Sequence, residues 1–442
     1  MRSFITRLTA ALCVISLLIL PAAGLKAQAL TPDFESSLAS ESILLREVAS
    51  GHTLYEKQPA LKQCPASLVK IMTGILALEY CPDLDVMVTV NYSALEGLYD
   101  RNASVVGLRT NEEMPLRDLL YGMLIRSGCD AANAVAEYVG SLPEARAAVS
   151  ASEDEKALDV FVQLMNNRAQ ALGATNTVFV DAHGLDNDTQ RTTANDLYLI
   201  TCHALSLPGF QEIATSSTYT AQATNQYGEA RTWYHTNAMT QSGSVYYMEG
   251  VQGLKTGTSG LNTRNLISMK EIDGVECLLI VLAAPATAAD GSTLYGIYED
   301  SRALYQWVEE SFQRYDLATV EQAVTQLSVA AGAGDGQVDA VPEASLSMLL
   351  PKGVQVETSL TTETLTAPLT KGTAVGSATY TLDSEELATV KLVAGMDVER
   401  DNLKMVLLWL QHNWPLFGFL LLAVADVGGI LILLKKKGTR AK

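Results

Sequence analysis

Ser67 and Lys70 stand three residues apart in Cys64-Pro65-Ala66-Ser67-Leu68-Val69-Lys70-Ile71-Met72-Thr73-Gly74. A proline suits a first helical turn, and the apolar run from Leu68 to Leu78 predicts a helix behind it. Positions three apart on a helix share a face, with Cβ atoms about 5–6 Å apart. A serine hydroxyl beside a lysine amine makes a nucleophile if the amine is held neutral and can take the proton. About one or two S-x-x-K matches arise by chance in a chain this long, so the pair alone decides nothing.

Two further stretches have chemistry-bearing residues. Lys255-Thr256-Gly257 is rarer, at roughly 0.1–0.2 expected per chain. A lysine there also suits an edge strand, where charge discourages aggregation. Bordering a cleft, the lysine and threonine would hold a substrate carboxylate and steer protons. Gly257 would leave that edge open to an extended substrate. Ser127-Gly128-Cys129 reads by itself as a helix end with glycine beside the last turn. The five histidines are scattered, so no zinc spacing appears and no metal or cofactor is expected.

The elements that must position these residues follow from periodicity. Ser42–Val48 and His52–Tyr55 read as strands joined at Ala49-Ser50-Gly51. Leu116–Ile125 is an apolar helical pattern, and a second helix starts at Ala131 with Asp130 as its expected N-cap. Ser127 therefore falls in a turn between helices. Helices are expected at Phe161–Leu172 and Thr193–Ala204, with a loop over Phe179–Leu185. Asn265–Ile272 and Val275–Ala283 read as a hairpin turning at Asp273-Gly274. Leu304, Trp307, Val308 and Phe312 mark a closing helix. Strands at both ends with helices between predict one helix-flanked sheet, an α/β (α+β) domain whose outer strands are distant in sequence. From Ala318 short β runs replace the helical patterns and predict a small all-β domain.

The ends give the chain an address. Residues 1–29 have Arg2 and Arg7, an apolar run and Ala27-Gln28-Ala29, the layout of a cleaved secretion signal. Trp414–Leu434 is apolar over about the length that spans a bilayer, and Lys435-Lys436-Lys437 after it marks the cytoplasmic side. The expected organisation is signal 1–29, catalytic domain 30–317, β domain 318–398, juxtamembrane segment 399–413, transmembrane helix 414–434 and tail 435–442. The part outside the membrane then holds 23 basic and 48 acidic residues, a net of −25, which argues against nucleic acid as a partner. Five cysteines remain after the signal, at irregular spacing, which is no disulfide framework.

Taken in order, S-x-x-K, then Ser127-Gly128-Cys129, then Lys255-Thr256-Gly257 resemble the fingerprint of the penicillin-recognising serine enzymes. More narrowly, the chain resembles the D-alanyl-D-alanine carboxypeptidases, the low-molecular-mass penicillin-binding proteins. Pro65 to Thr73, Ser127 to Ala132, His183-Gly184-Leu185 and Gly253 to Gly257 match it, as do Leu350-Pro351-Lys352-Gly353 and Ala367-Pro368-Leu369 in the β domain. The resemblance implies the β-lactamase/DD-peptidase-like fold, with a five-stranded antiparallel sheet. It implies Ser67 as nucleophile, Lys70 as its base and Ser127 as a proton relay. Lys255 and Thr256 would hold the terminal carboxylate, and the N–H groups of Ser67 and Thr258 would form the oxyanion hole. The substrate would be the D-Ala-D-Ala end of a peptidoglycan stem peptide, and β-lactams would enter as mimics. Cys129 departs from the pattern, where asparagine is usual; Asn133, one turn along, is a candidate substitute. A β-lactamase and an inactive wall-binding scaffold are the competing readings.

Overall fold

The computed structural model describes residues 30–438. The expected secretion signal at 1–29 lies outside the described residues, as does the end of the tail. Two units divide the chain. Residues 30–317 with 346–354 form one, and residues 318–345 with the chain from 355 onward form the other.

The first unit is built on a five-stranded antiparallel sheet in the order Thr53–Lys57, Ser42–Glu47, Val275–Pro285, Thr263–Ile272, Val251–Ser259. The edges come from opposite ends of the unit, as the distribution of strand patterns predicts. Val275–Pro285 is the middle strand, and its alternation divides two cores. Leu278, Ile280 and Leu282 face the helical layer, while Cys277, Leu279 and Val281 face the helix Gly296–Ser311. Both faces are covered, so from Cys277 to Ala284 the strand reads as an unbroken apolar run. Its hairpin to Thr263–Ile272 turns at Asp273 and Gly274, both at positive φ (48° and 76°), a geometry glycine adopts without strain.

Within the helical layer, Lys70–Tyr80 is the central helix. Ile71, Met72, Ile75 and Leu76 are all buried, as expected for a helix packed on every side. Around it lie Leu116–Leu124, Cys129–Ser141, Ala157–Ala171 and Ala194–Ser206; the Thr193 hydroxyl caps the last by accepting the Asp196 N–H at 3.1 Å. Asp130 is not the N-cap that the sequence suggests. Gly128 takes that position, and the Asp130 carboxylate accepts the N–H groups of Val106, Gly107 and Leu108 at 2.9–3.0 Å, pinning that loop.

The second unit has a six-stranded sheet in the order Glu357–Thr362, Ala374–Leu382, Glu385–Ala394, Gln337–Pro342, Thr325–Ala330, Leu365–Thr366. Leu346–Pro351, expected in this β domain, belongs instead with the first unit, where it pairs with Phe312–Ala318. The stretch from Asn402 to Gly438 is one helix. Among the described residues no helix is long and apolar enough to cross a membrane, so the expected span at 414–434 finds no support there.

Candidate active site

Ser67 sits in a single 3-10 turn, Ala66–Val69, that runs directly into the helix starting at Lys70. The turn is held from both sides. Ala66 has φ +47°, an uncommon conformation for a side-chain-bearing residue that persists only where neighbours impose it. The imposing neighbour on the sheet is Asn265. Its amide donates to the carbonyls of Cys64 (2.9 Å) and Pro65 (3.1 Å), and its oxygen accepts the Ala283 N–H (2.8 Å). On the other side Gly184, at φ +85°, lies so close that an added Cβ would come within 2.0 Å of the Ala66 oxygen. This explains the His183-Gly184-Leu185 stretch in physical terms. Gly257 has a similar task. A Cβ there would meet the Pro65 oxygen at 3.1 Å, so its smallness admits the nucleophile's turn rather than an extended substrate.

The Lys70 amine is fully buried and makes three contacts. It reaches the Ser67 Oγ at 2.9 Å, the His183 carbonyl at 2.5 Å and the Cys129 Sγ at 3.4 Å. Ser127 occupies the expected turn between helices at φ +66°, and its Oγ accepts from the Lys255 Nζ at 2.8 Å. Lys255 also donates to the Thr256 carbonyl at 2.9 Å and is completely buried. A bulge between Gly253 and Lys255 places it there. The inserted residue, Leu254, shifts the register so that Lys255 turns toward Ser127. Burial and the nearby Lys70 cation together push the Lys255 ammonium well below its ordinary pKa.

Contacts of 2.9–3.4 Å thus join Lys70 to Ser67 and Cys129, and one of 2.8 Å joins Lys255 to Ser127. Thr256, next along the edge strand, shares a hydrogen bond of 2.6 Å between its Oγ1 and that of Thr236, and Thr258 is exposed on the same strand. Asn133 is not in the site. It donates to the Ala94 carbonyl at 3.1 Å and is buried beneath the helix, so it does not replace the missing asparagine. The His183 imidazole stays within its own loop, where its Nδ1 accepts the Leu185 N–H at 3.1 Å. Sequence reasoning missed Asn265 and Asp186 as positioning residues. Asp186 accepts from Ser259 at 2.8 Å and from the Gly260 N–H at 2.5 Å, tying the end of the edge strand to the His183 loop. Neither belongs to a motif.

A five-stranded antiparallel sheet backed by helices, with Ser-Lys, Ser and Lys-Thr-Gly converging on one cleft, defines the penicillin-recognising class of serine hydrolases. Residues 26–286 match the D-alanyl-D-alanine carboxypeptidase family, and residues 312–400 match the penicillin-binding protein 5 C-terminal domain. The chain belongs to the D-alanyl-D-alanine carboxypeptidase family. It is similar to the D-alanyl-D-alanine carboxypeptidase DacC of Escherichia coli, with 28% identity over 378 residues covering 82% of this chain and 85% of that one. A Streptomyces D-alanyl-D-alanine carboxypeptidase is 30% identical over 252 residues, covering 55% of this chain and 82% of its own. The crystal structure of penicillin-binding protein 5 from Haemophilus influenzae shares the fold, with a TM-score of 0.64, 24% identity, and coverage of 85% of this chain and all of that one.

Proposed function

We infer that the protein is a serine D-Ala-D-Ala carboxypeptidase that removes the terminal D-alanine of peptidoglycan stem peptides and is acylated by β-lactams. The observation that carries this is the Ser67 Oγ held 2.9 Å from a buried lysine amine, with a second buried lysine on Ser127.

Lys70 in its neutral form takes the Ser67 proton as the oxygen attacks the carbonyl carbon between the two D-alanines. The oxyanion that forms is met by the N–H groups of Ser67 and Thr258. The C–N bond then breaks, and the departing nitrogen takes a proton through the Ser127 hydroxyl, which Lys255 orients. The resulting ester is hydrolysed by water, returning the proton to Ser67. The chemistry requires the Lys70 amine to be uncharged at the moment of attack. The β-lactamase alternative is disfavoured by the appended β domain, since residues 312–400 match the penicillin-binding protein 5 C-terminal domain.

We place the reaction outside the cytoplasm, with the C-terminal segment as a membrane tether. Sequence supports this: the signal-like pattern in residues 1–29 and the apolar run 414–434 closed by Lys435-Lys436-Lys437. One experiment covers both readings. Intact cells are treated with a membrane-impermeant labelled penicillin, and the membranes are then isolated. Membrane-bound label on Ser67 is expected, and Ser67→Ala is expected to lose both label and D-alanine release. D-Alanine release by Ser67→Ala would refute the nucleophile; label only after lysis would refute the location.

A further inference from the structure

On the carboxypeptidase reading the substrate has a fixed direction along the edge strand Val251–Ser259. Its terminal carboxylate lies at Lys255 and Thr256 and its scissile carbonyl at the Thr258 N–H. The rest of the stem peptide therefore leaves the cleft past Ser259 and Gly260. An extended chain advances about 3.3 Å per residue, as the strand does. The residue preceding D-Ala-D-Ala then lies alongside the end of the strand, and its side chain meets whatever is built there.

A strap of four residues, 101–104, is built there and is fastened at both ends. At one end the Ser104 carbonyl accepts the Cys129 N–H at 2.7 Å, and the Ser104 hydroxyl donates to the Arg126 carbonyl at 3.3 Å. Arg126 and Cys129 flank Ser127-Gly128, so this end is tied to the turn that bears Ser127. At the other end the Arg101 guanidinium donates to the Asp186 carbonyl at 3.1 Å. Asp186 is the residue whose carboxylate accepts from Ser259 and from Gly260. The strap thus runs from the Ser127 wall of the cleft to the end of the edge strand. Val106, Gly107 and Leu108, just after it, are pinned by the Asp130 carboxylate, so Arg101 is presented from a held segment.

A guanidinium has five N–H donors, and Arg101 uses one of them on the Asp186 carbonyl. Among the described residues no carboxylate pairs with it. The Asp186 carboxylate is turned to Ser259 and Gly260 instead. Arg101 is exposed, and its remaining donors form a planar fork that matches a carboxylate. Tyr99, two residues before it, and Leu261, next after Gly260, are exposed large apolar groups, suited to the methylenes of a long side chain.

We propose that Arg101 binds a carboxylate at the end of the side chain of the residue preceding D-Ala-D-Ala, and so sets the enzyme's preference at that position of the stem peptide. This rests on the carboxypeptidase reading and deepens it.

The test uses two Nα-acetyl-X-D-Ala-D-Ala peptides, in which X is diaminopimelate or lysine. Lysine is the same side chain without the carboxylate. The kcat/KM for D-alanine release is measured on both for the natural enzyme, Arg101→Gln and Arg101→Glu. A charge-assisted hydrogen bond at an exposed site is worth about 5- to 20-fold. The natural enzyme is expected to favour the diaminopimelate peptide by that factor. Arg101→Gln is expected to bring the ratio of the two values close to one, and Arg101→Glu to favour lysine. A loosened strap would slow both peptides alike and leave the ratio as it was. A natural ratio of one or below, or a ratio that both variants keep, overturns the proposal. Failure of the carboxypeptidase reading is distinct: the natural enzyme would then release D-alanine from neither peptide, and the subsite would fall with it.

Discussion

At the scale of the residue, Cys129 is the position where this site departs from the family pattern. The sequence shows the departure but not its consequence, because spacing does not say what a side chain touches. Its Sγ lies 3.4 Å from the Lys70 amine, so the residue's neighbour is the base. A thiol is a weak acceptor, whereas an asparagine oxygen accepts strongly in the same direction. Cys129→Asn is therefore expected to acylate with penicillin as fast as the natural enzyme or faster, measured by the rate of covalent labelling. A fall of tenfold or more would mean that the thiol itself is needed. Ser67, Lys70, Ser127 and Lys255 were legible because fixed spacing on a helix start, a turn and a strand is written in the sequence. Asn265 was not, since an amide acquires meaning only from the backbone groups it meets in the fold.

At the scale of the element, the question is what holds the Ser67 turn against its helix and sheet. Asn265 is the side chain that answers it, with three hydrogen bonds to backbone groups of three residues. Removing a buried partner strands the groups it satisfied, at about 1–3 kcal/mol each before relaxation. Asn265→Ala is expected to lower the Tm by several degrees and to slow penicillin acylation, since the turn bearing Ser67 loses its hold on the sheet. Calorimetry and labelling kinetics check the two effects, and unchanged values for both would remove Asn265 from this role. Strands and helices were largely readable from periodicity, down to the Asp273-Gly274 turn. What periodicity misses are contacts between segments distant in sequence. The bulge that aims Lys255 depends on one inserted residue, Leu254, and nothing in Gly253-Leu254-Lys255 announces it. The Asp130 cap failed for the same reason: a carboxylate at a helix start found three N–H groups of another loop.

At the scale of the whole catalytic unit, the chain leaves at Leu317, returns for Leu346–Val354 and leaves again, which no local pattern predicts. The returning strand is fastened by a buried acid. The Glu47 carboxylate group accepts the Leu349 N–H at 2.6 Å and the Ser50 hydroxyl, and the residue has no solvent exposure. Burial pushes its pKa from 4.5 up to about 7, against these two donors, which favour the charged form. The consequence has a definite sign. Between pH 4.5 and 7 the folded unit holds a proton that the unfolded chain has released. The associated stability is complete below the unfolded value and is lost as pH rises through 7. At pH 8 the loss is roughly 3 kcal/mol, or about 5 °C in Tm for a unit of this size. Glu47→Gln keeps an oxygen for Leu349 and cannot ionise, so it escapes that loss. The Tm of Glu47→Gln relative to the natural protein is therefore expected to climb by about 5 °C between pH 5 and pH 8. Taking the difference between variant and natural protein cancels the groups that titrate in both. A gap that stays constant across this range would show that Glu47 does not titrate there, and that the strand is fastened by a carboxylate already charged at pH 5.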